Sequence, residues 1–159
     1  MDTIGHALWS FILYNKHPKK WWAVFFGIFP DLFSIIPHMT IEHYMGTGQV
    51  MFDTAYKTTH SILILGIISI IIYFIVKDYV IVLGAWLIHI IMDIVSHPAN
   101  YYPTPFLYPF TSPTFTLLDY RTKTFIFVNF AIITGILIGL YILKTNKEKK
   151  HPKIKTFKR

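Results

Sequence analysis

The chain has 159 residues, 53% of them hydrophobic, and a mean hydropathy of +0.47, above the ordinary soluble range and sized for one compact unit. It contains no cysteine, so disulfide frameworks, thiolate zinc sites and thiol nucleophiles are excluded, and any metal must be held by nitrogen and oxygen. The formal charge of +7 is concentrated: eight Lys or Arg lie between Lys144 and Arg159 against the single acid Glu148. That distribution reads as a cytoplasmic anchor beside anionic headgroups, not as a nucleic-acid-binding domain.

In chain order, two short apolar segments come first, Thr3 to Tyr14 and Trp21 to Ile36, separated by a basic turn containing Lys16, His17, Lys19 and Lys20. Pro30 should kink or end the second, because proline lacks the N–H and crowds the preceding turn. A cleaved signal peptide fits poorly, since Asp2 and His6 precede the apolar run and no small-residue cleavage site follows it.

Three longer apolar runs follow: Ile62 to Val76, Tyr79 to Val95 and Phe125 to Leu143. Against about 20 residues for a hydrocarbon core of roughly 30 Å, they fit a thin or recessed membrane segment. Lys77 and Asp78 leave room only for a tight turn, which predicts an antiparallel hairpin. Pro98 to Tyr120 is a loop rich in proline and tyrosine, suited to a headgroup-level lid or a plain aromatic belt. The fold class expected is all-α, a polytopic membrane bundle of about five helices, with residues 1–144 as one embedded domain and 145–159 as a basic cytoplasmic tail. The lysines at 16–20, at 77 and after 144 place those turns and the C-terminus on the cytoplasmic side of a cell (inner or plasma) membrane.

Measured from the cytoplasmic ends at about 1.5 Å per residue, His6, Asp31 and His89 sit roughly 15 to 18 Å up, with His60 and Asp93 about 24 to 26 Å up and His97 at the outer boundary. Ionisable groups at such depth need a partner, water or a metal. His89, Asp93 and His97 are spaced i, i+4, i+8 and form one stripe on a helix face. A histidine and an aspartate one turn apart can share a divalent cation, with His6, Asp31 and His60 completing the cluster from other helices. The plainer alternative is a His89–Asp93 hydrogen-bonded packing pair. His17 and His151, beside lysines, are expected to be solvated. His38, Glu42, His43 and Asp53 lie in the outer segment and are expected to play no ligand role.

These residues resemble the YdjM-like bacterial inner-membrane family of membrane-bound metal-dependent hydrolases: Gly5-His6, Gly27-Ile28-Phe29-Pro30-Asp31, Thr59-His60-Ser61, His89-x3-Asp93 and Leu107-Tyr108-Pro109-Phe110 carry the match over residues 5 to 110. His89-x3-Asp93-x3-His97-Pro98 is also similar to a segment of zinc-dependent phospholipase C and P1-type nucleases. The resemblance implies one to three zinc ions. His60, His89 and Asp93 would share one, His6 and Asp31 a neighbouring one, and His97 would be a candidate for a further ion. Where the family has a histidine, this chain has Tyr56.

The function expected is hydrolysis of phosphoester, phospholipid-like substrates by metal-activated water, with Asp31 or Asp93 as the candidate catalytic base. The alternative is a non-enzymatic membrane protein with a structural metal or an ion or proton pathway.

Overall fold

The computed structural model describes residues 1–45, 48–77, 79–111, 113 and 115–150, with the helical path but not the side chains of 37–45 and 48–52. Six helices make up the described chain, with no strand among these residues: α1 (Thr3–Leu13), α2 (Lys20–Met45), α3 (Gly48–Thr59), α4 (Ile62–Ile75), α5 (Tyr79–Ser96) and α6 (Lys123–Lys150). The all-helical expectation is met, with six helices where about five were expected. The additional one is α3, whose Asp53 and Lys57 hid it from a search for apolar runs. The side chains of His38, Glu42 and His43, together with Asp78 and His151, lie outside the described residues.

Local chemistry sets the helix ends. Asp2 caps α1 by accepting from the Gly5 N–H at 2.8 Å, satisfying a donor that the first turn leaves open. Ser61 does the same for α4 through Ile64 N–H. Val76 accepts from Tyr79 N–H at 3.2 Å, closing the tight turn expected between α4 and α5.

Pro30 neither ends α2 nor leaves its own carbonyl idle. The helix runs on to Met45, and the Pro30 carbonyl accepts from Ser34 Oγ at 2.8 Å and Thr59 Oγ1 at 3.3 Å. Side-chain donors from α2 and α3 thus converge on this carbonyl and link the two helices next to Asp31. The continuity matters for function, because it carries Asp31 inward beside α5.

Helix α2 is the hub, packing against α1, α3 and α5, while α6 packs against α1 alone. Close approach of α1 and α2 depends on Gly27: a Cβ there would lie 2.0 Å from Ser10 Oγ and 2.8 Å from Ser10 Cβ. Two apolar clusters flank the interior, Ala23, Ile81 and Ala85 under Tyr14 and Phe26, and Leu65, Trp86 and Ile90 under Phe29 and Phe106.

Two helices are long and apolar enough to cross a membrane, Tyr79–Ser96 and Lys123–Lys150. A third candidate is a bent pair, Asp53–Thr59 with Ile62–Ile75, turning by 67° at a short break. Helix α4 alone, at 14 residues, is about 21 Å long and falls short of a span; so does α1. Helix α6 continues to Lys150, so the tail boundary expected at 144/145 lies inside a helix, and residues 151–159 lie outside the described residues.

Candidate metal centre

Three elements deliver the centre. Asp31 comes from α2 just past Pro30, His60 sits at the break between α3 and α4, and His89 and Asp93 lie one turn apart on α5. The break is itself built from side chains. Trp86 Nε1 donates to the Thr59 carbonyl at 2.8 Å, Ile62 N–H donates to the Phe106 carbonyl at 3.0 Å, and Ser61 Oγ donates to the Tyr108 carbonyl at 2.7 Å. The proline–tyrosine loop therefore braces the segment that aims His60 inward.

Hydrogen bonding fixes which ring nitrogens carry protons. His89 Nδ1 lies 2.7 Å from the Gly27 carbonyl and His60 Nδ1 lies 3.0 Å from the Tyr56 carbonyl. Carbonyls only accept, so both Nδ1 atoms hold a proton, and when the rings are neutral both Nε2 atoms present lone pairs. The carboxylates are divided likewise. Asp31 Oδ2 accepts from Thr3 Oγ1 at 2.6 Å. Asp93 Oδ1 accepts from His6 Nε2 at 2.8 Å and pairs with the Met1 ammonium, whereas Asp93 Oδ2 is buried with no hydrogen-bond partner.

Four lone-pair donors thus converge: His60 Nε2, His89 Nε2, Asp93 Oδ2 and Asp31 Oδ1. The two histidine nitrogens are 3.1 Å apart and each is 3.3 Å from Asp93 Oδ2. Asp31 Oδ1 stands farther off, 3.7 Å from His60 Nε2 and 3.6 Å from His89 Nε2. An imidazolium donating to a carboxylate would draw in to about 2.7–2.9 Å. A tetrahedral ion with ligands at about 2.0–2.1 Å instead sets its donors about 3.3–3.4 Å apart. The four donors are close enough together to hold a metal ion, and a cation there would offset carboxylate charge in a site where uncompensated charge is costly.

The other expected ligands stand outside this group of four. His6 stacks on His89 with ring centroids 3.7 Å apart and spends Nε2 on Asp93. Its Nδ1 is buried without a hydrogen-bond partner, while α2 brings Asp31 beside His60 and His89. His97 places Nδ1 2.8 Å from the Tyr102 carbonyl, and its buried Nε2 lies 3.4 Å from Asp93 Oδ1 without a hydrogen-bond partner. Burial lowers the His97 pKa from the ordinary value. His17, by contrast, only accepts from Lys19 N–H at the exposed turn.

Several contributors carry no sequence signal of their own. Thr3 orients Asp31, and a backbone carbonyl at Gly27 orients His89. Tyr56 stacks against His60 with centroids 4.1 Å apart and sets its hydroxyl 2.9 Å from both His97 Nδ1 and the Tyr102 carbonyl. A cleft of about 310 Å³ opens beside the centre, walled by Asp31, Tyr56, His97, Tyr101, Tyr102 and Tyr120 among others. Next to Tyr120 in the chain, Arg121 grips Asp119 through contacts of 2.8 and 3.0 Å, and this bond holds the Asp119 carboxyl down at about 2. Burial pushes Tyr120 up to about 12.

Compared with protein-family models, curated proteins and solved structures, the chain matches none of them.

Proposed function

We propose that this chain is a multi-pass membrane hydrolase that uses a divalent metal, most simply zinc, to cleave phosphoester bonds in lipid-like substrates, with its basic end in the cytoplasm. The observation that carries the reading is the asymmetry of the centre. His60, His89 and Asp93 form a tight triangle, whereas Asp31 stands back and is the one member with solvent access, its side chain 14% exposed on the wall of the cleft. Three close protein ligands and one accessible position is the pattern of catalytic zinc, while four equivalent ligands is that of structural zinc.

The residues fit such an ion: four lone pairs converge, and the partnerless Asp93 Oδ2 has no other use. When bound, the ion supplies Lewis acidity that lowers the pKa of water and polarises a phosphoryl oxygen. His60 and His89 hold it as neutral ligands, their rings fixed by the Tyr56 and Gly27 carbonyls. Asp93 contributes charge and is itself held by His6. Asp31, anchored by Thr3 and facing the cleft, is the group placed to accept the proton of an attacking water. The tyrosine walls exclude bulk water and leave room for a headgroup.

Membrane residence is supported by an inverted polarity. The interior holds His6, His60, His89, Asp93, Ser10, Ser34 and Ser61, while Phe74, Ile75, Phe110 and Phe127 are at least 75% exposed. An apolar exterior suits lipid as solvent. Lys16, Lys20, Lys144 and Lys147 border one common groove, which gathers basic residues from three elements at one end, as the positive-inside rule expects of a cytoplasmic face.

The second reading is structural metal, favoured if Asp31 closes in as a full fourth ligand. The test is phosphate or headgroup release from mixed phospholipid vesicles by reconstituted, zinc-loaded protein. The proposal expects turnover that Asp31→Asn abolishes while metal content is kept. Metal retention with no turnover on any phosphoester, together with unfolding on metal removal, would establish the structural role instead.

A further inference from the structure

A second cavity lies away from the metal centre. A groove of about 660 Å³ separates the end of α1 and the start of α2 from the C-terminal half of α6, within the size range of ligand sites. It exists because α6 is held at one end. Asn129 and Ile133 are its buried residues, and Asn129 Oδ1 accepts from Trp9 Nε1 at 2.9 Å. Beyond Ile133 the helix stands off from α1.

The walls and the rim differ in chemistry. Phe11, Leu137, Leu140 and Leu143 supply an apolar interior, and Lys16, Lys20, Lys144 and Lys147 stand at its border. Among the described residues no carboxylate lines it. Lys20 Nζ lies 4.7 Å over the Phe11 ring, so one ammonium is already held above the apolar floor. His6 lies in the first turns of α1 and Lys16 in the turn beyond its C-terminal end at Leu13, which separates this groove from the metal chemistry.

We propose that this groove binds one anionic phospholipid of the surrounding bilayer, its phosphate among the four lysines and an acyl chain against Phe11 and the α6 leucines. Four cations without a carboxylate call for an anion, and an apolar floor calls for one with a hydrocarbon tail. Basic pockets between membrane helices at the cytoplasmic side bind anionic headgroups for this reason. The site goes beyond the proposed hydrolase activity and does not depend on it. It would act as a wedge that fixes the angle of α6.

The experiment is native mass spectrometry of the full chain in detergent, with phosphatidylglycerol or phosphatidylcholine of identical acyl chains added. One phosphatidylglycerol per chain should survive activation at which phosphatidylcholine is stripped. Its retention should fall about tenfold in K16Q/K20Q/K144Q/K147Q, and Leu140→Trp should lower it by filling the floor. Unchanged bound metal and an unchanged melting curve show that each variant is folded. Should the quadruple variant misfold, K16Q/K20Q and K144Q/K147Q are read separately, each expected to weaken retention. Equal retention of the two lipids, retention indifferent to the lysines, or displacement by free glycerol phosphate would overturn the proposal. So would a dimer lost in Leu140→Trp with no lipid adduct on the wild type, which would make a second copy the occupant.

Discussion

His60 and His89 point their Nε2 atoms at each other across 3.1 Å, each with its Nδ1 proton committed to a backbone carbonyl. Two lone pairs at that distance repel unless something positive lies between or beside them. Asp31 and Asp93 turn their remaining oxygens toward the same point, and with the Met1 ammonium already paired to Asp93 one carboxylate charge is left to add to the demand for a cation.

The oxygen of Asp31 that faces away from the centre is held by Thr3 Oγ1 at 2.6 Å. Thr3→Val keeps the side-chain shape and removes that donor. Losses of this kind cost about 10–100-fold in metal affinity or activity. Turnover should fall in that range, while metal affinity and the melting temperature of the metal-loaded protein change little.

Protons and metal compete for the two Nε2 lone pairs, so affinity should decline as pH falls. Below the ordinary imidazole range the decline should approach about one decade per pH unit for each histidine displaced. Equilibrium dialysis between about pH 7.5 and pH 5 checks this. Retention that stays flat through that interval would mean the histidines are not ligands.

Gly27 faces Ser10 so closely that even a methyl group meets Ser10 Oγ at 2.0 Å. Gly27→Ala must push α1 and α2 apart, at about 1–3 kcal/mol. Because Gly27 also supplies the carbonyl for His89, metal affinity should drop together with thermal stability, measured on the same preparation.

Helix α6 is tied to α1 by Trp9 Nε1 donating to Asn129 Oδ1. Trp9→Phe leaves the buried amide unpartnered, and interhelical hydrogen bonds in membranes contribute about 0.6 kcal/mol, up to roughly 1.7. A modest loss of stability in detergent unfolding is expected, with the metal content unchanged, since neither residue touches the centre.

How much of this was legible in the sequence differs from residue to residue. The i, i+4 pair His89 and Asp93 was visible, because helical spacing alone puts both on one face. The convergence of Asp31 and His60 on that pair was expected from depth along straight helices, and that reasoning set His60 and Asp93 well above His89. They meet because His60 sits on a bent break rather than on a straight span, so distance along the chain does not convert to depth there. Pro30 read as a kink or a stop, and the helix continues through it to Met45. Thr3 and the Gly27 carbonyl could not be found from sequence, since one is an ordinary helix-start residue and the other is backbone. The place of Tyr56 beside His97 likewise needed the packing of α3 against the tyrosine loop.

The central claim is that His60, His89 and Asp93, with Asp31 beside them, hold a divalent ion. The most direct measurement is bound metal per chain in protein purified in mild detergent and loaded with zinc or manganese, for wild type, His89→Ala, Asp93→Ala and the remote control His17→Ala. The account expects about one ion in the wild type and in His17→Ala, and a loss of tenfold or more in affinity in the other two. A wild type that binds no more metal than His89→Ala and Asp93→Ala would contradict it and leave the cluster as a hydrogen-bonded core.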